Sequence, residues 1–255
     1  MSELKLAIGS RRKSAVGPDR ISYLMFGNMP DVALLVWLRL FNLVWKVGVV
    51  PAARKEAHVV PVLKPGKDKS APSSYRPISL TSQVGKRMEC MVKGRLEHLL
   101  KGRGVLNRFQ SGFRKGRSTL DNLARLHHDV TAAKNRGRYV LAIFLDLQAA
   151  FDLTWHFGVL KKLRDCGITR NCFHYLRAFL ENRKIIVRVD GELSDALILE
   201  RSTPHGSVIS PVIFSLIIND LPEVAKASGM VISQFADDSG TWRTGSNLVD
   251  LAKRA

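Results

Sequence analysis

The sequence predicts an α+β fold, on three observations: a long helical stretch between two prolines, an apolar run that ends on a single acid, and two hairpin patterns with helical segments around them. A chain of 255 residues with 45% hydrophobic content can bury a sizeable core, which sets disorder aside. The length fits one large domain or two intimately packed subdomains.

Val32 to Val50 reads VALLVWLRLFNLVWKVGVV. Arg39, Asn42 and Lys46 recur at helical spacing on one face, so the stretch reads as an amphipathic core helix rather than a membrane span. Pro30 and Pro51 frame it. His58 to Leu63 (HVVPVL) is short, β-branched and interrupted by Pro61, the pattern of an edge strand. Lys64 to Pro77 is a basic loop, and Gly85 to Leu100 has helical composition.

Tyr139 to Leu147 (YVLAIFLDL) is continuously apolar, the pattern of a buried strand that delivers Asp146 to its end. KIIVRVDGELSDALIL, from Lys184 to Leu199, reads as a hairpin turning at Asp190-Gly191. Val231 to Phe235 and Ser239 to Arg243 form a second hairpin pattern, with Asp237 and Asp238 at its turn.

Forty Lys and Arg against 22 Asp and Glu give a formal charge of +18 and a pI near 10.3, so the expected partner is a polyanion, nucleic acid before anionic membrane. The basic residues run from Arg11 to Arg254, which fits a groove better than a tail. Cys90, Cys166 and Cys172 form no CxxC pair and have no zinc-finger spacing, which implies a reducing compartment. The start, MSELKLAIGSRRKS, lacks the apolar core of a secretory signal.

Two adjacent aspartates at a hairpin tip and one at a strand end form a set of like charges that calls for divalent cations. Mg²⁺, or Mn²⁺ as the alternative ion, takes oxygen ligands and keeps positions for substrate phosphates, so a few carboxylates can hold a pair of ions for phosphoryl transfer. Asp146 and Asp237 are expected to bridge the metals, with Asp238 pointing away in a secondary role.

FLDLQAAFD (Phe144 to Asp152) and QFADDSG (Gln234 to Gly240) resemble motifs A and C of reverse transcriptases. GPDRIS, HVVPVLKPGKD, SYRPISLTS and FQSGFRKGRSTLDNL, in that order between Gly17 and Leu123, resemble the fingers motifs of the non-LTR retrotransposon class. STPHGSVISPVIFSLIINDLP (Ser202 to Pro222) resembles motif B. The resemblance covers Gly17 to Gly240 in one order and points to LINE-type elements of the jockey and R1 kind.

The resemblance implies a right-hand polymerase architecture, with helical and mixed fingers over residues 1–138 and a palm with an antiparallel sheet over 139–255. It also implies an RNA-directed DNA polymerase that adds dNTP to a primer 3′-hydroxyl. Asp146, Asp237 and Asp238 match the metal-binding acids, and the Leu147 carbonyl matches a further metal contact. Phe151 matches an aromatic gate under the incoming sugar, which would clash with a ribose 2′-hydroxyl.

Lys64 and Arg76 match a triphosphate grip, while Arg114, Lys115 and Arg117 are assigned to template phosphates. Gly206 lets backbone approach the nascent base pair. The implied partners are an RNA template, a DNA primer and dNTP, with no membrane, inside a nuclear or cytoplasmic ribonucleoprotein. Oligomeric state is open.

The chain departs from the family pattern at Ser202, where Gly is common, and at His205, where Gln is common. It ends 17 residues after Asp238, so no thumb, endonuclease or Cys-rich segment is expected. Two further readings follow: an impaired retroelement remnant that only binds nucleic acid, and a two-metal nuclease, ranked last because it would leave Phe151, Lys64 and Arg76 without a purpose.

Overall fold

The structure, a computed structural model, describes residues 1–9 and 15–253. Arg11 and Arg254, the ends of the basic spread, lie outside the described residues. In chain order the elements are α1 (Ser2–Gly9), α2 (Tyr23–Gly27), α3 (Asp31–Val47), β1 (Glu56–Leu63), β2 (Tyr75–Thr81), α4 (Gln83–Gly102), α5 (Thr119–Lys134) and β3 (Tyr139–Asp146). They continue as α6 (His156–Asp165), α7 (Arg170–Leu180), β4 (Arg183–Val189), β5 (Glu192–Leu193), β6 (Leu197–Leu199), α8 (Ser210–Ile217), α9 (Leu221–Ala227), β7 (Val231–Phe235), β8 (Asp238–Gly245) and α10 (Leu248–Lys253).

Contacts divide the chain into two compact units, Met1–Leu100 with Phe151–Ser210, and Lys101–Ala150 with Pro211–Ala255. The expected division into 1–138 and 139–255 follows the order of motifs. The compact units instead follow packing, and they interleave because motifs A and B each straddle a crossing point.

The first unit holds a mixed sheet in the order β2-β1-β4-β5, with β6 pairing the same β4. β1 is antiparallel to β2 along its length and parallel to β4 over Glu56 to Val59. The edge strand expected at HVVPVL is therefore a central strand in its first half. Pro61 lies beyond the stretch paired with β4, where a missing N–H costs nothing, and it sits opposite Pro77 in β2. The Asp190-Gly191 hairpin forms as expected, with both turn residues at positive φ (50° and 95°), the signature of a type I′ turn.

The core of this unit is helical. α7 buries Cys172, Phe173, Tyr175, Leu176, Phe179 and Leu180 on one face, and α4 buries Val84, Met88, Met91, Val92, Leu96 and Leu100. Burial pushes the Cys172 thiol up to about 11, which fits a structural rather than a reactive cysteine. α3 forms between its two prolines as expected and buries Leu34, Phe41 and Val44. Among the described residues no helix is long and apolar enough to cross a membrane.

The second unit carries an antiparallel three-stranded sheet, β3-β8-β7. Trp242 in β8 is buried and donates its indole N–H to Asp129 of α5 at 2.8 Å, which fixes α5 on the sheet. β3 is an edge strand, and its apolar residues are not buried as the continuous run predicted: Phe144 is 72% and Leu145 50% exposed. Periodicity reports what a strand can bury, whereas exposure depends on which neighbours arrive. The Phe144 ring lies across Gly240 on the paired strand, where an added Cβ would meet it at 3.2 Å.

Candidate active site

The acids gather at one end of the β3-β8-β7 sheet. β3 ends on Asp146, which the register sets directly opposite Asp238, the first residue of β8. Residues opposed in this way share a face, with Cβ atoms ~4.5–5.5 Å apart. The β7–β8 hairpin closes in two residues, Ala236 and Asp237, because Phe235 pairs with Asp238. Ala236 has φ 58°, the sign that the first central residue of a type II′ turn requires.

Sequence reasoning paired Asp146 with Asp237 and turned Asp238 away; the register places Asp238 across from Asp146 and leaves Asp237 at the tip. The two-residue turn shifts the alternation, which the string ADD does not reveal. Asp146 and Asp238 also line a cavity of about 370 Å³, with Phe144, Phe235, Asn122 and Leu123.

Among the described residues no three His, Cys, Asp or Glu side chains gather at metal-binding distance, so the acids do not form a ready-made cage. Among the described residues no basic side chain pairs with any of them. Opposed like charges destabilise a sheet, and a divalent cation would relieve them. Mg²⁺ in nucleotide chemistry is held by one or two carboxylates plus phosphate oxygens, and the donors present here fit that mode.

Of the other expected residues, Leu147, Arg114, Lys115 and Arg117 also lie in the second unit, where Arg114 donates to the Asn107 and Gln110 carbonyls at 2.7 and 3.2 Å, while Lys64, Arg76, Phe151, His205 and Gly206 lie in the first. His205 Nε2 stands 2.9 Å from Asp152 Oδ1, and the His205 and Phe151 rings are tilted with centroids 5.4 Å apart. Two backbone bonds lace this part of motif B to the end of motif A, from Thr203 N–H to the Phe151 carbonyl (2.9 Å) and from Ser202 N–H to the Thr154 carbonyl (3.0 Å). His205 and Asp152 line a cavity of about 600 Å³ with Ser79, Arg183, Arg201 and Pro204.

Gly206 is pressed on β2, and a Cβ there would lie 2.1 Å from the Ser79 carbonyl oxygen. The next two residues are tied to α4, because the buried Glu89 carboxylate accepts from Ser207 Oγ and Val208 N–H, each at 2.7 Å. Arg76 is exposed on β2 opposite Val62. Lys64, just after β1, donates from Nζ to the Ser73 carbonyl at 2.9 Å. The structure thus brings Phe151, His205 and Gly206 together and sets Lys64 and Arg76 on the β1–β2 hairpin.

Ser202 has φ 97° and is 7% exposed. A Gly would meet this backbone demand freely, whereas Ser holds it under strain. Ser202→Gly is expected to raise unfolding free energy by about 1 kcal/mol, read as a higher urea midpoint with an unchanged slope.

Sequence reasoning missed Asp152, Glu89 and Gln110. Asp152 and Gln110 stand inside quoted motifs, but nothing in their spacing marks a partner 53 or 126 residues away. Glu89 sits in a helix where an acid ordinarily faces solvent.

Residues 62–241 match the family described as Reverse transcriptase (RNA-dependent DNA polymerase). The chain belongs to this reverse transcriptase family. Over 231 residues it is 33% identical to the RNA-directed DNA polymerase from mobile element jockey of Drosophila funebris, covering 89% of this chain and 25% of that protein. The probable RNA-directed DNA polymerase from transposon BS of Drosophila melanogaster is 32% identical over the same shares.

The chain thus spans about a quarter of the length of these curated relatives. A solved structure of apo telomerase from Candida tropicalis, truncated from its C-terminal domain, matches with a TM-score of 0.51 at 14% identity, over 81% of this chain and 46% of that one. The reverse transcriptase fold here is accordingly α+β, of the right-hand polymerase class.

Proposed function

We propose that the chain is the catalytic part of an RNA-directed DNA polymerase of a non-LTR element, joining dNTP to a primer 3′-hydroxyl on an RNA template. The observation that carries this reading is the opposition of Asp146 and Asp238 beside Asp237, with no basic side chain paired to them among the described residues, in a member of the reverse transcriptase family. By motif order, residues 1–138 serve as fingers and 139–255 as palm.

Asp146, Asp237 and Asp238, with the Leu147 carbonyl, would hold Mg²⁺ or Mn²⁺. When bound, the ions supply charge neutralisation at the phosphates and acidify the primer hydroxyl. The remaining work belongs to the chain. Arg76 and Lys64 grip the triphosphate. Phe151, steadied against His205, excludes a 2′-hydroxyl by shape. Gly206 offers backbone without a side chain to the new base pair. Arg114, Lys115 and Arg117 hold template phosphates, and the net charge of +18 makes that binding salt-dependent.

The test is primer lengthening on an RNA template with dNTP and Mg²⁺; primer shortening instead would favour a nuclease. For the gate, Phe151→Ala is expected to raise ribonucleotide use relative to deoxyribonucleotide by about 10- to 200-fold in kcat/KM, the range for discrimination by shape. An unchanged ratio would remove Phe151 from that role.

A further inference from the structure

We infer that Gln110 is a positioning residue that sets the turn on which Asp237 and Asp238 stand, and through it the affinity of the site for a divalent cation. The inference rests on the polymerase reading for its functional meaning, but its geometry is independent of it.

Gln110 is 1% exposed. Its Oε1 accepts from the Ala236 N–H at 3.1 Å and from the Gly112 N–H at 2.7 Å, and its Nε2 donates to the Ala236 carbonyl at 3.3 Å. One side-chain amide therefore satisfies both polar groups of a single backbone residue, as a neighbouring strand would. That residue is the one with φ 58°, immediately before Asp237.

The flanking backbone makes the clamp continuous. Ser111 N–H donates to the Gln234 carbonyl at 2.8 Å, and Gln234 N–H donates to the Phe109 carbonyl at 2.9 Å, a short parallel bridge on the outer edge of β7. Asn122 of α5 donates to the same Gln234 carbonyl at 2.9 Å and accepts from Ser111 Oγ at 2.8 Å. Gly112 must lack a side chain, since a Cβ would fall 2.1 Å from the Ala236 nitrogen.

A non-glycine residue holds a left-handed conformation only when its surroundings over-determine it. Here the surroundings of Ala236 are Gln110 and Gly112. Releasing the amide lets the turn relax, and Asp237 and Asp238 move with it, because they are the next two residues.

The experiment compares the parent chain with Gln110→Met, Gln110→Glu and the double variant Gln110→Met/Ala236→Gly. Three quantities are read: Mn²⁺ binding by electron paramagnetic resonance without nucleic acid, kcat and KM for dNTP, and the far-UV circular dichroism melt. Gln110→Met is expected to melt as a folded protein, bind Mn²⁺ at least tenfold more weakly and lose at least tenfold in kcat, with KM for dNTP within twofold. Ala236→Gly, which adopts positive φ unaided, is expected to recover part of the Mn²⁺ affinity.

A merely structural role would not give that rescue. Should Gln110→Met fail to fold, Gln110→Glu keeps the two accepted bonds but opposes a carboxylate to the Ala236 carbonyl, and the same Mn²⁺ loss is expected of it. A folded Gln110 variant with parental Mn²⁺ affinity and kcat would overturn the inference. A parent chain that extends no primer would sink the polymerase reading, leaving the Mn²⁺ comparison to decide the role of Gln110.

Discussion

Alanine at Asp146 or at Asp237 is expected to abolish primer extension, lowering kcat by roughly 10³-fold, while RNA binding in a filter assay stays within twofold. The acids make no ion pair among the described residues, so no structural partner is orphaned by the change. Asp146→Ala also removes one of two opposed like charges, so its Tm in the presence of a chelator is expected to equal or exceed that of the parent. Function set against stability in this way is a mark of an active site.

The same loss is expected of Asp238→Ala, against the order of importance assigned from sequence, because Asp238 and not Asp237 faces Asp146 across the ladder. Activity retained by Asp238→Ala and lost by Asp237→Ala would show that the tip acid alone completes the site.

Gly206→Ala is expected to be the most damaging single methyl in the first unit. Its Cβ would sit 2.1 Å from the Ser79 carbonyl, and Ser79 cannot withdraw cheaply because it lies inside the β1–β2 ladder opposite Val59. The neighbouring Ser207 and Val208 are held by the buried Glu89, so the loop cannot yield either. A stability loss of about 3 kcal/mol, at the upper end for overpacking, and a rise of at least tenfold in KM for dNTP follow. Gly94→Ala is the control: nothing lies within 4 Å of its Cβ, and in the interior of α4 alanine stabilises by about 1 kcal/mol. Equal behaviour of the two variants in urea denaturation would contradict the packing described.

Local chemistry was the legible part of the sequence. The Asp190-Gly191 turn, the helix between Pro30 and Pro51, the β7–β8 hairpin and the strand ending on Asp146 each follow from residues within a few positions of one another, where propensity and periodicity act. What was not legible depends on partners far away in the chain. The parallel pairing of Glu56–Val59 with Lys184–Val187 turned an expected edge strand into a central one, and no local pattern distinguishes the two.

The same holds for the site. Motif order pointed to the aspartates and to Phe151, but the Gln110 clamp on Ala236 spans 126 residues and the Glu89 bond to Ser207 spans 118. A buried polar side chain that serves a distant backbone looks in sequence like any surface polar residue. The exposure of Phe144 and Leu145 likewise could not be read from an apolar run, because the run does not say that β3 is an edge.

The most direct measurement is single-turnover incorporation on a primed RNA template, supplying one dNTP at a time with Mg²⁺ and following primer length and pyrophosphate together. The predicted result is addition of the nucleotide complementary to the template, one pyrophosphate released per nucleotide added, and loss of both signals with chelator or with Asp237→Ala. Salt-sensitive RNA binding with neither signal would contradict the account and leave a nucleic-acid-binding protein whose acids do no chemistry.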